Sequence, residues 1–144
     1  MNCHISLRNG IVYMPTMGKM GKGFYRGVEP VAVVPAENTE ALRQALKTTI
    51  SRGNPAVSQP QRRQDWPPPV VFKYAKVKSW QEFERGRRVW DLNESDGIFQ
   101  IAGNVRGPHG WMEDRDQTIN FPLGTSVDEV IDRMIAILQD AARK

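Results

Sequence analysis

The C-terminal end of the chain carries the pattern that most restricts its fold. Between residues 127 and 141, apolar side chains recur at intervals of three and four, which places them on one face of an α-helix. Ser126 and Glu129 have the spacing of a capping box, in which side chains accept hydrogen bonds from free backbone N–H groups of the first turn. Ile135 and Ile137 widen the apolar face. Such a helix needs an apolar layer to cover it, and we expect that layer to be a β-sheet.

A second amphipathic helix is predicted over residues 39–51. Leu42, Leu46 and Ile50 lie on one stripe at helical spacing. Gly53 and the Asn-Pro pair that follows it end the helix, because glycine suits the position after a helix and proline cannot continue one.

Proline, glycine and capping residues predict the structure of the segments between these helices. The proline-rich stretch 54–69 predicts a long loop, since proline is excluded from helix interiors and central strands. Ser79 begins another capping box and hence a short helix, which ends at Gly86. A further polar loop is predicted over residues 106–116.

Strands are predicted where β-branched and aromatic residues cluster between these breaks. The first has a break or bulge between Gly27 and Pro30, and Asp96-Gly97 supplies the tight turn of a hairpin. The predicted strands cover residues 24–34, 70–77, 88–93, 98–105 and 118–121.

The predicted architecture is an α+β two-layer sandwich. A mostly antiparallel sheet of about five strands carries the two long helices on one face, together with the one short helix. Residues 21–144 form this single domain. Residues 1–20 show weak periodicity, apart from one strand at 11–14, and Met14, Met17 and Met20 offer other start points. We therefore expect residues 1–20 to be poorly ordered or over-annotated.

Composition restricts the environment of the protein. The 144 residues suit one domain, and the longest apolar run, "VAVV", is far too short to cross a membrane. No basic-then-apolar leader precedes the domain, and the single cysteine, Cys3, excludes an internal disulfide. We therefore expect a cytoplasmic protein without membrane contact. The net charge of +4 permits contact with nucleic acid without requiring it.

Few residues have the arrangement that catalysis or metal binding requires. Cys3 and His4 lie in the segment expected to be loose, and His109 lies in a loop between proline and glycine. One cysteine and two histidines cannot build a structural zinc site. Glu113, Asp114 and Asp116 could hold a hard cation, but a solvated acidic loop is the favoured interpretation, and such a loop could also face a basic partner. We predict a protein that is not an enzyme and has no cofactor.

The segment 73–90 mixes cations with aromatic residues. Trp80 and Phe83 are neighbours on one helical turn, and we expect Phe83 and part of Trp80 to anchor the short helix on the sheet. Glu82 and Glu84 interrupt the basic run, which disfavours a continuous phosphate track. A mixed-charge surface with aromatics suits a protein interface.

Exposed aromatic and charged residues in three connecting elements form the candidate partner-binding site. Trp66 belongs to it because its surroundings have no apolar periodicity, whereas Trp90 alternates with Leu92 in a strand and is assigned to the core. The predicted partner-binding residues are Trp66, Trp80, Glu82, Glu84, Arg85, Trp111, Glu113 and Asp114.

Several blocks of the sequence resemble a known family. They are "GFYRGVEPVAVVPAENTEALRQAL", "PPPVVFKYAKVKSWQEFERG", "DGIFQI" and "FPLGTSVDEVIDRMIAIL". Together they resemble immunity proteins of bacterial contact-dependent growth inhibition systems, over the chain from Gly23 onward. The resemblance implies a cytoplasmic protein without catalytic activity. Such a protein binds the C-terminal toxin domain of its cognate effector, often a nuclease, and covers its active site or a substrate surface.

The charge of the chain leaves two forms of that interaction open. Nuclease inhibitors are often acidic, whereas this chain has a pI near 9.5. Either a local acidic patch contacts the toxin, or the toxin presents an acidic surface away from its catalytic centre. The candidates for such a patch are Glu113, Asp114 and Asp116, or Glu82, Glu84 and Asp91.

Two other functions stay open at this point. A nucleic-acid-binding module would use the cations of the 73–90 segment, and its binding would weaken steeply with salt. An enzyme or small-molecule binder would use "WMEDRD" or a pocket near Trp111, and would bring carboxylates of shifted pKa together in a cleft. The cations of the first alternative are Lys73, Lys76, Lys78, Arg85, Arg87 and Arg88.

Overall fold

An antiparallel sheet of six strands runs through the protein, described here by a computed structural model for residues 1–21 and 23–144. The strand order is β3-β2-β1-β4-β5-β6, so two three-stranded meanders meet where β1 pairs with β4. The strands are β1 (Asn2–Arg8), β2 (Ile11–Gly21), β3 (Phe24–Pro35), β4 (Arg88–Ser95), β5 (Ile98–Gly107) and β6 (Gly110–Asn120). The prediction of an α+β fold with a largely antiparallel sheet is confirmed, with six strands instead of about five.

Two long and two short helices accompany the sheet. Asn38 caps the first long helix through a 3.1 Å hydrogen bond from the backbone N–H of Ala41 to its Oδ1. Ser126 caps the last helix by accepting from the backbone N–H of Glu129 at 3.2 Å, as its capping-box position predicts. The helices are α1 (Thr39–Arg52), α2 (Phe72–Ala75), α3 (Trp80–Glu84) and α4 (Val127–Ala142). Of the described residues, no helix is both long and apolar enough to cross a membrane.

The main core lies between one face of the sheet and the two long helices. Leu42 and Leu46 of α1 meet Ile131, Met134 and Leu138 of α4 above the central strands, and all five are fully buried. The predicted apolar stripes of both helices therefore face this layer. The sheet contributes Ile5, Met14, Trp90, Leu92 and Ile101, so the assignment of Trp90 to the core is confirmed.

The expectation of a poorly ordered segment at residues 1–20 is wrong. β1 lies between β2 and β4 at the centre of the sheet, where Cys3, Ile5 and Leu7 point into the main core. The residues between them, His4 and Ser6, belong to a polar network on the other face. Polar residues are unusual in a central strand, and the local sequence does not show that their hydrogen-bond partner, Arg87, lies more than 80 residues away.

Two other segments differ from their predicted structure. The predicted strand at 70–77 instead contains α2 (Phe72–Ala75), a single helical turn followed by Lys76 in the left-handed conformation (φ 58°). Its apolar residues pack on the face of the sheet opposite α1 and α4, where Phe72 joins Tyr13 and Phe83 in a second small core. The predicted polar loop at 106–116 is instead the end of β5 and most of β6, an edge strand whose polar residues face solvent.

Candidate functional site

A cleft opens on the face of the sheet opposite the long helices. Its volume is about 460 Å³, within the range of sites that hold a small molecule or a buried side chain. Strands β1 to β3 form its floor, and the proline-rich loop and α3 form its walls. Its main lining residues are His4, Ser6, Pro15, Trp80, Arg87 and the segment 66–71.

The proline-rich wall is fixed to the edge of the sheet. The backbone N–H of Lys19 donates to the carbonyl of Pro55 at 2.8 Å, and the N–H of Val57 donates to the carbonyl of Lys19 at 3.0 Å. Gly18 permits this approach, because a Cβ atom there would lie 2.6 Å from Val57. Residues 66–69, Trp-Pro-Pro-Pro, then run along the cleft with the restricted backbone that consecutive prolines impose.

Arg87 lies at the back of the cleft and is almost fully buried. Its Nε donates to Ser6 Oγ at 3.0 Å, and its Nη1 donates to Glu84 Oε1 at 2.7 Å. Its Nη2 lies 3.0 Å from His4 Nε2. Because a guanidinium can only donate, Nε2 of His4 must accept, and the ring proton lies on Nδ1, 2.9 Å from Asp91 Oδ1. The sequence of contacts Glu84–Arg87–His4–Asp91 therefore fixes the histidine tautomer.

Burial and charge pairing oppose each other in this network. Burial lowers the pKa of Arg87, while the neighbouring charge and hydrogen bond of Glu84 act to raise it. Burial alone would raise the pKa of Asp91, but the hydrogen bonds from His4 and Asn104 outweigh it and leave that pKa below its ordinary value. On the other face of the sheet, burial raises the pKa of the Cys3 thiol to about 12.

Glu84 connects α3 with the β5–β6 hairpin. Its Oε2 accepts hydrogen bonds from Trp111 Nε1 at 2.8 Å and from Arg106 Nη1 at 2.7 Å. The guanidinium of Arg87 also contacts the rings of Trp80 and Trp111, with centroid distances of 5.5 and 5.4 Å. Two tryptophans from different parts of the chain thus contact one buried cation.

The structure brings together part of the predicted partner-binding set. Trp66 and Trp80 stand at the cleft, 40% and 49% exposed. Trp111 is half-buried next to Glu84, whose carboxylate is only 15% exposed and makes internal ion pairs. Arg85 is exposed at the end of α3.

The other predicted acidic residues have local structural contacts. Glu82 is exposed and its Oε2 accepts from the backbone N–H of Lys78 at 3.1 Å. Glu113 and Asp114 lie on β6, away from the cleft lining, where they accept hydrogen bonds from Thr118 and Gln117. Phe83 is fully buried, which confirms that it anchors α3 on the sheet.

Sequence reasoning missed three residues of this site. His4 and Ser6 lie in the segment expected to be loose, and Arg26 lies in a predicted strand without an assigned role. The alternation of apolar Cys3, Ile5 and Leu7 with polar residues was the available signal, since it is typical of a strand with one face on a core.

The cations of the nucleic-acid alternative do not form one surface. Arg87 is buried, which excludes it as a phosphate contact in this conformation. Lys73 pairs with Glu29 on β3, and Arg88 stacks on Trp90.

A separate cavity of about 250 Å³ lies beside Trp111, and Glu113 and Asp114 do not line it. In the described part of the chain, no three His, Cys, Asp or Glu side chains meet as a metal site.

Known structures share this fold over nearly the whole chain. A Neisseria meningitidis protein of unknown function is 14% identical, with a TM-score of 0.61 over 98% of this chain and 92% of that one. A chain of the CdiA-CT/CdiI toxin and immunity complex from Yersinia pseudotuberculosis is 11% identical, with a TM-score of 0.57 over 99% of this chain and 94% of that one. These likenesses show the fold alone. No protein-family model and no curated protein matches the sequence.

Proposed function

We propose that this protein is an immunity protein, which binds and neutralises the C-terminal toxin domain of a contact-dependent growth inhibition effector. The observation that carries the proposal is the pair of exposed tryptophans, Trp66 and Trp80, at the cleft on a rigid sheet face. The shared fold with a component of a toxin and immunity complex supports the same role. We further propose that the toxin is a nuclease and that binding takes place in the cytoplasm.

The rigidity of these aromatics favours tight binding. Trp80 packs edge-on against Phe72 at 5.0 Å and against Phe83 at 6.0 Å, so its ring is held before any partner arrives. Trp66 precedes three prolines, which limit the conformations of its backbone. A pre-organised surface loses little entropy on association, and exposed tryptophans carry much of the energy of protein interfaces.

The predicted residues then take different roles in the proposed interface. Trp66, Trp80 and Arg85 contact the toxin directly, with Glu82 at the polar rim. Glu84 and Trp111 support Trp80 indirectly. Glu84 pairs with Arg87, and the guanidinium of Arg87 contacts the ring of Trp80. The protein acts by covering a toxin surface and performs no reaction of its own.

The test is co-expression with the toxin domain encoded immediately upstream. Affinity co-purification and restored growth of the toxin-expressing cells are the expected results. Trp66→Ala and Trp80→Ala should each weaken the complex at least about tenfold, while Leu123→Ala, which removes a 73% exposed residue outside the cleft, should leave affinity unchanged. A toxin domain that neither co-purifies nor loses its toxicity would contradict the proposal.

A further inference from the structure

The charged side chains that line the cleft are all cationic. Two cationic side chains, Arg26 and Arg87, line it, and no described carboxylate does. Two carboxylates contact lining residues from behind, where Glu84 pairs with Arg87 and Asp91 accepts a hydrogen bond from His4. A ligand in the cleft therefore meets apolar walls with cationic and neutral donor groups.

Arg26 has unused hydrogen-bonding capacity in this lining. Its Nη2 donates to the carbonyl of Ser58 at 3.2 Å, which is a neutral acceptor. It takes part in none of the ion pairs formed by residues 1–21 and 23–144. Its Nε is buried and has no acceptor among the same residues. A guanidinium in this state gains from an anionic acceptor, because charge-assisted hydrogen bonds are the stronger ones and a buried donor without a partner is costly.

Glu84 and Asp91, two of the three carboxylates in one acidic patch suggested by the sequence, are engaged inside the protein, whereas the other patch lies on β6 away from the cleft. Glu84 accepts from Arg87, Arg106 and Trp111, and Asp91 accepts from His4 and Asn104. These carboxylates cannot serve a basic partner without breaking internal pairs. At the cleft, where Arg26 and Arg87 line the surface and no described carboxylate does, an acidic group on the partner therefore fits better than a basic one.

We propose that the cleft receives a carboxylate side chain of the toxin domain together with an adjoining aromatic or large aliphatic residue. Arg26 pairs with the carboxylate, and Trp66, Trp80 and the proline wall cover the apolar neighbour. The volume of about 460 Å³ accommodates such a pair of side chains. This inference rests on the proposed function and specifies the chemistry that the toxin presents.

The test compares variants of the intact protein in calorimetric titrations with the toxin domain. Arg26→Gln removes the charge of the cleft arginine at nearly constant size, and Arg133→Gln makes the same change on the exposed outer face of α4. We expect Arg26→Gln to raise Kd by about tenfold to a hundredfold and Arg133→Gln to leave it unchanged. Each acidic surface residue of the toxin is then changed to its amide. One of these variants should weaken binding by a similar factor, and combining it with Arg26→Gln should cause little further loss.

The outcomes separate this inference from the function on which it rests. If the unmodified protein does not bind the toxin domain, the proposed function and this inference fail together. If it binds and Arg26→Gln binds equally well, or no toxin carboxylate is coupled to Arg26, the inference alone is overturned. Arg26→Lys keeps the charge but loses the planar fork, and it replaces Arg26→Gln in the cycle if thermal melts show that the glutamine variant does not fold.

Discussion

Arg87 donates a 3.0 Å hydrogen bond to Nε2 of His4, and this contact joins the beginning of the chain to the segment that leads from α3 into β4. The same guanidinium bonds Ser6 and Glu84, so β1 and α3 converge on one buried cation. The candidate site and the central strand pairing therefore depend on a common set of contacts.

Replacing Arg87 by lysine should destabilise the protein although the charge is kept. An ammonium group cannot reach Ser6, Glu84 and His4 together in the planar arrangement of the guanidinium. We expect Arg87→Lys to lower the free energy of unfolding by about 2 kcal/mol, measured by urea denaturation. Arg133→Lys, on the exposed face of α4, is the control and should change it by less than about 0.5 kcal/mol. Equal stability of the two variants would contradict the network.

Loss of the Glu84 charge should have a larger effect. Its carboxylate is 15% exposed and pairs with both Arg87 and Arg106, so neutralisation leaves a buried cation without its counter-charge. Removing one partner of a buried pair is strongly unfavourable, and we expect Glu84→Gln to cost about 3 kcal/mol in urea denaturation. Glu37→Gln, at an exposed position in the turn before α1, should be neutral. If Glu84→Gln lowers the free energy of unfolding no more than an ordinary surface substitution does, the ion pair contributes little to stability.

The ionisation of Asp91 should make the free energy of unfolding depend on pH in the acidic range. Its pKa in the folded protein lies below the ordinary value of 3.8, so the unfolded chain takes up the proton first as pH falls. Ionised Asp91 therefore contributes its full stabilisation at pH values above its pKa in the unfolded chain. This stabilisation disappears as the pH falls through the lower pKa of Asp91 in the folded protein.

The stability difference between the unmodified protein and Asp91→Asn should thus be constant from about pH 7 to about pH 5 and shrink below about pH 4. Urea denaturation across this range measures it. Asp116→Asn, at an exposed position of β6, is the matched control variant. A difference for Asp91→Asn that does not vary with pH would refute the assignment.

Cys3 provides a chemical test of the central position of β1. The thiol is 2% exposed and burial raises its pKa to about 12, so little thiolate is present or reachable in the native state. We expect iodoacetamide at about pH 8 to leave Cys3 unmodified in native protein, and to alkylate it fully in guanidinium chloride, as read by mass spectrometry. Rapid native labelling would mean that β1 detaches from the sheet.

Local sequence patterns were sufficient for the elements that carry their own signals. The apolar stripes of α1 and α4, the Ser126 cap and the Asp96-Gly97 turn appear in the structure as predicted, because each depends on residues within about one or two helical turns or one hairpin. Trp66 was likewise expected to be exposed, because its surroundings have no apolar periodicity, and it is 40% exposed.

Three assignments depended on the tertiary structure. Residues 2–8 and 110–120 are strands because neighbouring strands supply their hydrogen bonds, and Phe72–Ala75 form a helical turn because Val71 and Phe72 pack with Tyr13 in the second small core. The sequence by itself thus determined the helices, the hairpin turn and the fold class, whose signals are short-range. Only the tertiary structure decided that Arg87 and Glu84 are internal while Arg26 lines an open cleft. The physical reason is that the burial and pairing of a charge depend on groups brought together from distant parts of the chain, as His4 and Asp91 are.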